Sequence, residues 1–173
     1  MLEGQVEQRT ILSFEPDAVS DWFVVNDGVM GGVSSSRIRP ASDDAAIFEG
    51  HLSLENNGGF ASVRARINEG ALSKASTVVL RVRGDGKRYQ LRLRMGRNWD
   101  GVSYAVSFET TADTWTTVEI PLRQFQPIFR GFVPRNARAL NPSRVQQIGL
   151  MVTDKQEGPF RLEISRLEAT IGL

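Results

Sequence analysis

The sequence predicts an all-β protein, an antiparallel β-sandwich of jelly-roll type with almost no helix. Nearly every apolar stretch alternates with period two, the pattern of a strand with one buried face. The stretches are short, and turn chemistry such as Asn56-Asn57-Gly58-Gly59 and Gly84-Asp85-Gly86 separates them. About ten such strands in 173 residues need two sheets closed against one another to manage their edges. The length suits one domain over residues 1–173, with its core at about 10–171.

Strands are predicted first at 10–14 and 21–25. The second runs into the stretch Trp22 to Ser36, around which the chain is organised. There the apolar run Trp22-Phe23-Val24-Val25 stops at Asn26-Asp27-Gly28, and Gly31 and Gly32 follow before a serine triplet. Glycines and an Asn-Asp pair this dense imply backbone geometry that other residues adopt only at a cost. A phosphate cradle would need a helix to follow, whereas residues 33–40 are β-branched, short and end in Pro40. Two readings stand, a tight corner between sheets or a loop facing a ligand or partner through Asn26, Asp27 and Met30.

Strands at 46–54 and 60–67 come next, and 68–75 has room for one short helical turn at most. Residues 77–83 and 87–95 are predicted to form a hairpin around Gly84-Asp85-Gly86. One face of it carries Val78, Leu80, Val82, Tyr89, Leu91, Leu93 and Met95, which is core. The other carries Arg81 and Arg83 beside Arg88, Arg92 and Arg94, bordered by Ser103, Ala105 and Ser107 of the strand at 102–109. Like charges on neighbouring strands repel unless compensated, and Glu109 and Glu119, the latter on a strand at 116–121, are the expected compensation. This basic floor reads either as a salt-bridged sheet face or as a site for an anionic or polyhydroxyl ligand or a partner's acidic surface.

Trp99 is the loop aromatic that looks available for stacking, while Trp22 and Trp115 sit in strand patterns and read as core. Residues 122–142 form a long connection with Phe125, Phe129, Arg130, Phe132 and Arg135, which suits a lid or a partner-binding patch. Strands at 144–153 and 160–171, joined by a turn at 154–159, close the chain.

Composition excludes several classes. With no cysteine there is no thiolate chemistry and no cysteine-held zinc, and with one histidine, His51, no multi-histidine metal site. His51 reads as a surface or half-buried strand residue. No cofactor is expected, although a calcium bound by loop oxygens at Asn26-Asp27 or Asp43-Asp44 stays open. Against 20 acidic residues, 21 Lys and Arg give a net charge of +1, so no global field draws the protein to DNA or a membrane surface. The start MLEGQVEQRT is not a signal or transit peptide, and no apolar run is long enough to span a bilayer, so the expected location is the cytoplasm.

In motif order from about residue 10 to 170, the chain resembles the complex I intermediate-associated protein 30 family. The resemblance lies in Trp22 with Asn26-Asp27-Gly28-Val29-Met30-Gly31-Gly32-Val33-Ser34, in Phe48-Glu49-Gly50, and in Gly58-Gly59-Phe60-Ala61-Ser62-Val63-Arg64. Val82-Arg83-Gly84-Asp85-Gly86, Ile120-Pro121-Leu122 with Phe125, Phe129-Arg130-Gly131 and Gly158-Pro159-Phe160 continue it. The resemblance implies a galactose-binding-domain-like jelly roll and, for the mitochondrial members, assembly of the membrane arm of respiratory NADH dehydrogenase. It implies no catalytic residues.

The leading expectation is a non-enzymatic adaptor, an assembly or chaperone-like factor whose partner is a protein such as a respiratory or NAD(P)H dehydrogenase subunit. The alternative is a module that binds a carbohydrate or small anion on the arginine face. An enzyme is the third reading, and its candidates Asp27, Asp85, Glu109, Tyr104 and His51 show no spacing that places two together.

Overall fold

The computed structural model describes residues 4–41, 44–98 and 101–172. Within them the chain forms the predicted antiparallel sandwich. Its strands are β1 (Val6–Thr10), β2 (Phe23–Val24), β3 (Ser35–Pro40), β4 (Ala46–Leu52), β5 (Ala61–Arg66), β6 (Ala75–Arg83), β7 (Arg88–Met95), β8 (Ser103–Glu109), β9 (Trp115–Pro121), β10 (Gln126–Ile128), β11 (Val145–Val152) and β12 (Gly158–Gly172). The first sheet has the order β3-β4-β12-β6-β9, with β1 also on β12, and the second has the order β10-β8-β7-β11-β5-β2. β12 organises the first sheet, because β4 and then β1 pair along one of its edges while β6 runs along the other.

Alternation decides what lies between the sheets. Val78, Leu80 and Val82 of β6 face Tyr89, Leu91 and Leu93 of β7 across a core that also holds Phe48, Ile148, Leu150, Leu162 and Ile164. Each of these side chains is removed from water, and their burial is the main driving force for closing the sandwich.

The predicted 77–95 hairpin is corrected. β6 pairs with β12 and β9, and β7 pairs with β11 and β8, so the two strands lie in different sheets. Asp85 explains why the turn crosses between them. Its carboxylate accepts the Tyr89 hydroxyl at 3.0 Å, the Lys87 N–H at 3.1 Å and, from β12, the Arg161 N–H at 2.9 Å. Gly84 lets the crossing pass under Thr110, whose side chain lies 2.3 Å from where a Cβ would stand.

Three further differences follow from local chemistry. The first strand is Val6–Thr10 rather than 10–14, and Pro16 opens a single helical turn, α1 (Pro16–Val19), at a position where its missing N–H costs nothing. The long connection contains β10, which extends the edge of the second sheet, and its Phe125 is core rather than lid. Trp115, expected in the core, lies on the outer face of the first sheet, stacked beneath Arg81 and Arg83.

Candidate functional site

The glycine loop is a corner pinned from within. Asp27 is fully buried. One carboxylate oxygen accepts the Ser34 N–H at 3.0 Å, and the other accepts the Ser34 hydroxyl at 2.6 Å and the Gly59 N–H at 2.8 Å. Gly32 and Gly58 press against this carboxylate so closely that a Cβ on either would lie within 2.6 Å of it. Burial pushes the Asp27 pKa up, but the bonds from Ser34, Gly59 and Phe60 outweigh it and hold the group below its ordinary value. Asn26 is equally committed, since its side-chain oxygen accepts the Ser36 hydroxyl at 2.8 Å and the Ser62 N–H at 3.2 Å.

Asn26 and Asp27 therefore tie the β3 side of the corner to the β5 side through these bonds. The two Asp27 carboxylate oxygens considered for calcium both accept hydrogen bonds within the corner. Asp43 of the second calcium candidate lies outside the described residues, as does Trp99. What the corner exposes is apolar, with Val29 78%, Met30 62% and Val33 52% accessible.

The arginines read from sequence as one face lie on two. Arg81 and Arg83 belong to the outer face of the first sheet, which neutralises itself. Arg83 donates to Glu163 at 2.7 Å, and Arg161 reaches the same carboxylate at 3.1 Å. Glu49 takes Arg37 at 2.7 Å and Arg39 at 2.8 Å, and those hydrogen bonds, Arg39 first, hold its pKa down against burial. Arg81 is fixed by Ser165 at 3.2 Å and by the Trp115 ring at 4.4 Å. The compensating carboxylates are thus Glu49 and Glu163, while Glu109 stands 3.9 Å from Arg88. An open cleft of about 660 Å³ at the edge of this face is lined by Arg37, Glu49, Asp85, Lys87 and Arg161, among others, all held in these interactions or in the Asp85 turn.

Arg92 and Arg94 lie on the outer face of the second sheet. Strand register places them beside residues the sequence reading did not single out, with Arg92 level with Gly149 and Arg64, and Arg94 level with Gln147 and Arg66. Arg92 donates to the Gln90 side-chain oxygen at 2.9 and 3.1 Å and to the Ser103 hydroxyl at 3.4 Å, all neutral acceptors. Burial, and then the charge of Arg64, pull the Arg92 guanidinium down to about 10. Arg94 is buried at 7% exposure, and the buried Gln147 beside it donates its amide to the Gly96 and Asn98 carbonyls while its own oxygen accepts no hydrogen bond.

The 126–141 segment presents a two-residue hairpin. Phe129 and Phe132 exchange N–H···O bonds of 2.8 and 3.0 Å across Arg130 and Gly131, both with positive φ (50° and 82°), the geometry of a tight hairpin turn. Phe132 at 78%, Val133 at 69% and Phe129 at 38% exposure project from it, with the Arg130 guanidinium 5.2 Å from the Phe129 ring and Arg135 exposed a few residues on. The Tyr104 hydroxyl donates to the Arg138 carbonyl and anchors the return of this segment to the sandwich. His51 is exposed, and Asp27, Asp85, Glu109, Tyr104 and His51 share no hydrogen bond with one another.

The sheet orders and the sheet-crossing turn at Asp85 define a galactose-binding-domain-like β-sandwich, the fold of many carbohydrate-binding modules. A family 11 carbohydrate-binding module of a Clostridium thermocellum cellulosomal cellulase matches with a TM-score of 0.74 at 16% identity, over 98% of this chain and 96% of that one. A family 29 carbohydrate-binding module matches with a TM-score of 0.59 at 11% identity, over 97% and 90%. The likeness to both is one of fold.

The chain belongs to the complex I intermediate-associated protein 30 family, whose model matches residues 12–164. The mitochondrial complex I intermediate-associated protein 30 of Mus musculus is 28% identical, over 91% of this chain and 55% of that protein. That of Drosophila melanogaster is 25% identical, over 91% and 61%. The chain spans about half the length of the curated relatives it matches. Those relatives are mitochondrial by name, which overturns the cytoplasmic placement expected from the sequence. That expectation rested on the opening residues, and a sandwich surface carries no signature of compartment. Among the described residues no helix is long and apolar enough to cross a membrane.

Proposed function

We propose that this chain is an adaptor without catalysis that holds a protein partner during assembly of a respiratory NADH dehydrogenase, and that the Phe129–Phe132 hairpin is its principal contact. Family membership and the names of the relatives support the assembly role. The observation that carries the contact is the exposure of Phe132 and Val133, 78% and 69%, on a segment locked by two backbone hydrogen bonds. Large apolar side chains held rigidly in water are what interface anchors look like before the partner arrives, because little conformational entropy remains to be lost. Met30 and Val29 on the pinned corner offer a second apolar contact.

A sugar site on the second sheet has weaker support. Among the described strand positions of its outer face there is no Trp or Tyr, so a sugar ring would find donors but no indole or phenol to stack on.

The test is affinity capture from solubilised respiratory membranes with the wild-type chain and with a Phe132→Asp, Val133→Asp double variant. The expected result is that wild type retains NADH dehydrogenase subunits or their assembly intermediates and the double variant loses them at an unchanged melting temperature. Equal capture by both, or capture of no such subunit by either, would refute the proposal.

A further inference from the structure

β9 ends the first sheet. It pairs with β6 along one edge, and among the described residues no strand or loop bonds to the backbone of the other. Open edges invite pairing with another chain, and proteins blunt them with short strands, basic side chains, prolines or bulges. The other sheet ends carry such devices. β3 has Arg37, Arg39 and a terminal Pro40, β10 is three residues with Pro127 at its centre, and β2 is two residues long. β9 instead offers seven residues in unbroken register with β6, with proline only at its end and Glu119 as its one charge.

The neutralisation of this outer face stops short of the β9 edge. Glu119 is exposed, stands level with Val79 and, among the described residues, bridges no cation. Arg81, level with Thr117, meets neutral groups, the Ser165 hydroxyl at 3.2 Å and the Trp115 ring at 4.4 Å. Trp115 lies on the far side of Thr117 from Glu119, so Arg81 leans away from the carboxylate on its own chain.

A second copy supplies what the edge lacks. Antiparallel pairing about a two-fold axis sets residues opposite one another when they lie equally far from the axis on the two copies. An axis at Glu119 would oppose two carboxylates, which costs stability. An axis at Val118 sets the half-buried Val118 against its own copy and each Glu119 opposite Thr117 of the other chain. Thr117 separates that carboxylate from Arg81, with the Arg81 and Glu119 Cα atoms about 9–10 Å apart, so the two side chains approach one another above it. Symmetry makes two such pairs.

We propose that β9 pairs antiparallel with β9 of a second copy of this chain, with the two-fold axis at Val118, so that two six-stranded sheets continue into one. A single strand pair falls below the roughly 1,200 Å² of stable complexes, and the association is correspondingly weak.

Sedimentation equilibrium of the whole chain from micromolar to millimolar concentration tests it. Wild type is expected to pass from monomer to dimer. Glu119→Lys and Arg81→Glu should each weaken self-association about tenfold or more, because two attractions become two repulsions. An equimolar mixture of the two variants should dimerise as wild type does, since each Arg81 then meets a Glu119 and each introduced glutamate an introduced lysine. The chain has no cysteine, so Val118→Cys should form a disulfide-linked dimer on mild oxidation and Thr116→Cys, offset in this register, should not. Glu119 holds no partner within the chain, so its variant should melt as wild type and carries the test even if Arg81→Glu fails to fold. Monomer at every concentration would overturn the proposal and leave the edge to a strand of another protein. Self-association that Glu119→Lys retains but the Phe132→Asp, Val133→Asp double variant loses would overturn it too, placing the dimer at the hairpin. The inference is independent of the assembly role, and failed capture from membranes leaves it standing.

Discussion

Asp27→Asn changes one atom and should be among the costliest isosteric substitutions in the chain. The carboxylate accepts three hydrogen bonds, from the Ser34 N–H, the Ser34 hydroxyl and the Gly59 N–H. An asparagine side chain must put an NH₂ where one oxygen now accepts, so either the Ser34 N–H or the Gly59 N–H is left facing a donor. Gly32 and Gly58 close the site, and the orphaned N–H cannot turn to water. Losing one bond to a charged acceptor costs about 1.5–3 kcal/mol, and making the remaining two neutral costs about 1 kcal/mol each, which gives roughly 3–5 kcal/mol. For a chain of this length that is a fall of about 6–20 °C in melting temperature. Thermal unfolding followed by circular dichroism at neutral pH measures it. A fall of less than about 2 °C would mean that the carboxylate is not the node described.

The pH dependence adds a sign. The folded pKa lies below the ordinary value of 3.8, so the Asp27 contribution is complete above that value and is lost as pH falls through the lower folded pKa. The stability gap between wild type and the variant should therefore hold constant from neutral pH down to about 4 and close only in stronger acid.

Other expected outcomes concern the frame. Gly50→Ala places a Cβ 2.0 Å from the Ser35 carbonyl oxygen, a backbone atom that cannot step aside without unzipping β3 from β4, and should cost about 3 kcal/mol or more in urea unfolding. Glu163→Gln keeps the shape of the acceptor for Arg83 and Arg161 but removes its charge. Those arginine side chains are 35% and 43% exposed, so solvent screening should hold the loss to about 1–2 kcal/mol by the same measurement. Tyr104→Phe deletes the bond to the Arg138 carbonyl, costing about 1 kcal/mol, and should raise hydrogen exchange within 133–140 more than in the strands.

The core was legible in the sequence because burial imposes a period of two. Val78, Leu80 and Val82 and then Tyr89, Leu91 and Leu93 read directly as inward faces, and each is buried. Strand pairing was not legible, because the same turn residues serve a hairpin and a sheet crossing. What separates them is the tertiary bond from Asp85 to the Arg161 N–H, contributed by a strand 76 positions away. That one difference split the arginine face. It sent Arg81 and Arg83 to partners on β12 and left Arg92 and Arg94 facing Arg64 and Arg66, whose own strand reads as an ordinary alternating segment. A hint was available in Ser62-Val63-Arg64-Ala65-Arg66, where the outward residues are basic and no acidic residue follows at the same parity. The Phe129–Phe132 hairpin was partly legible, since Arg130-Gly131 is turn chemistry, but nothing in the pattern marked Phe125 as core and Phe132 as exposed.

On the outer face of the first sheet the carboxylates that hold Arg37, Arg39, Arg83 and Arg161 are themselves shielded, with Glu49 at 18% and Glu163 at 8% side-chain exposure, so those pairs keep most of their strength as ionic strength rises. Added salt should thus leave the stability difference between wild type and Glu163→Gln nearly unchanged, and a difference that vanished at high salt would mean that the pairs act through solvent. The near-zero net charge of +1 is compatible with strong local pairing, because neutrality summed over the whole chain says nothing about how charge is apportioned between two faces.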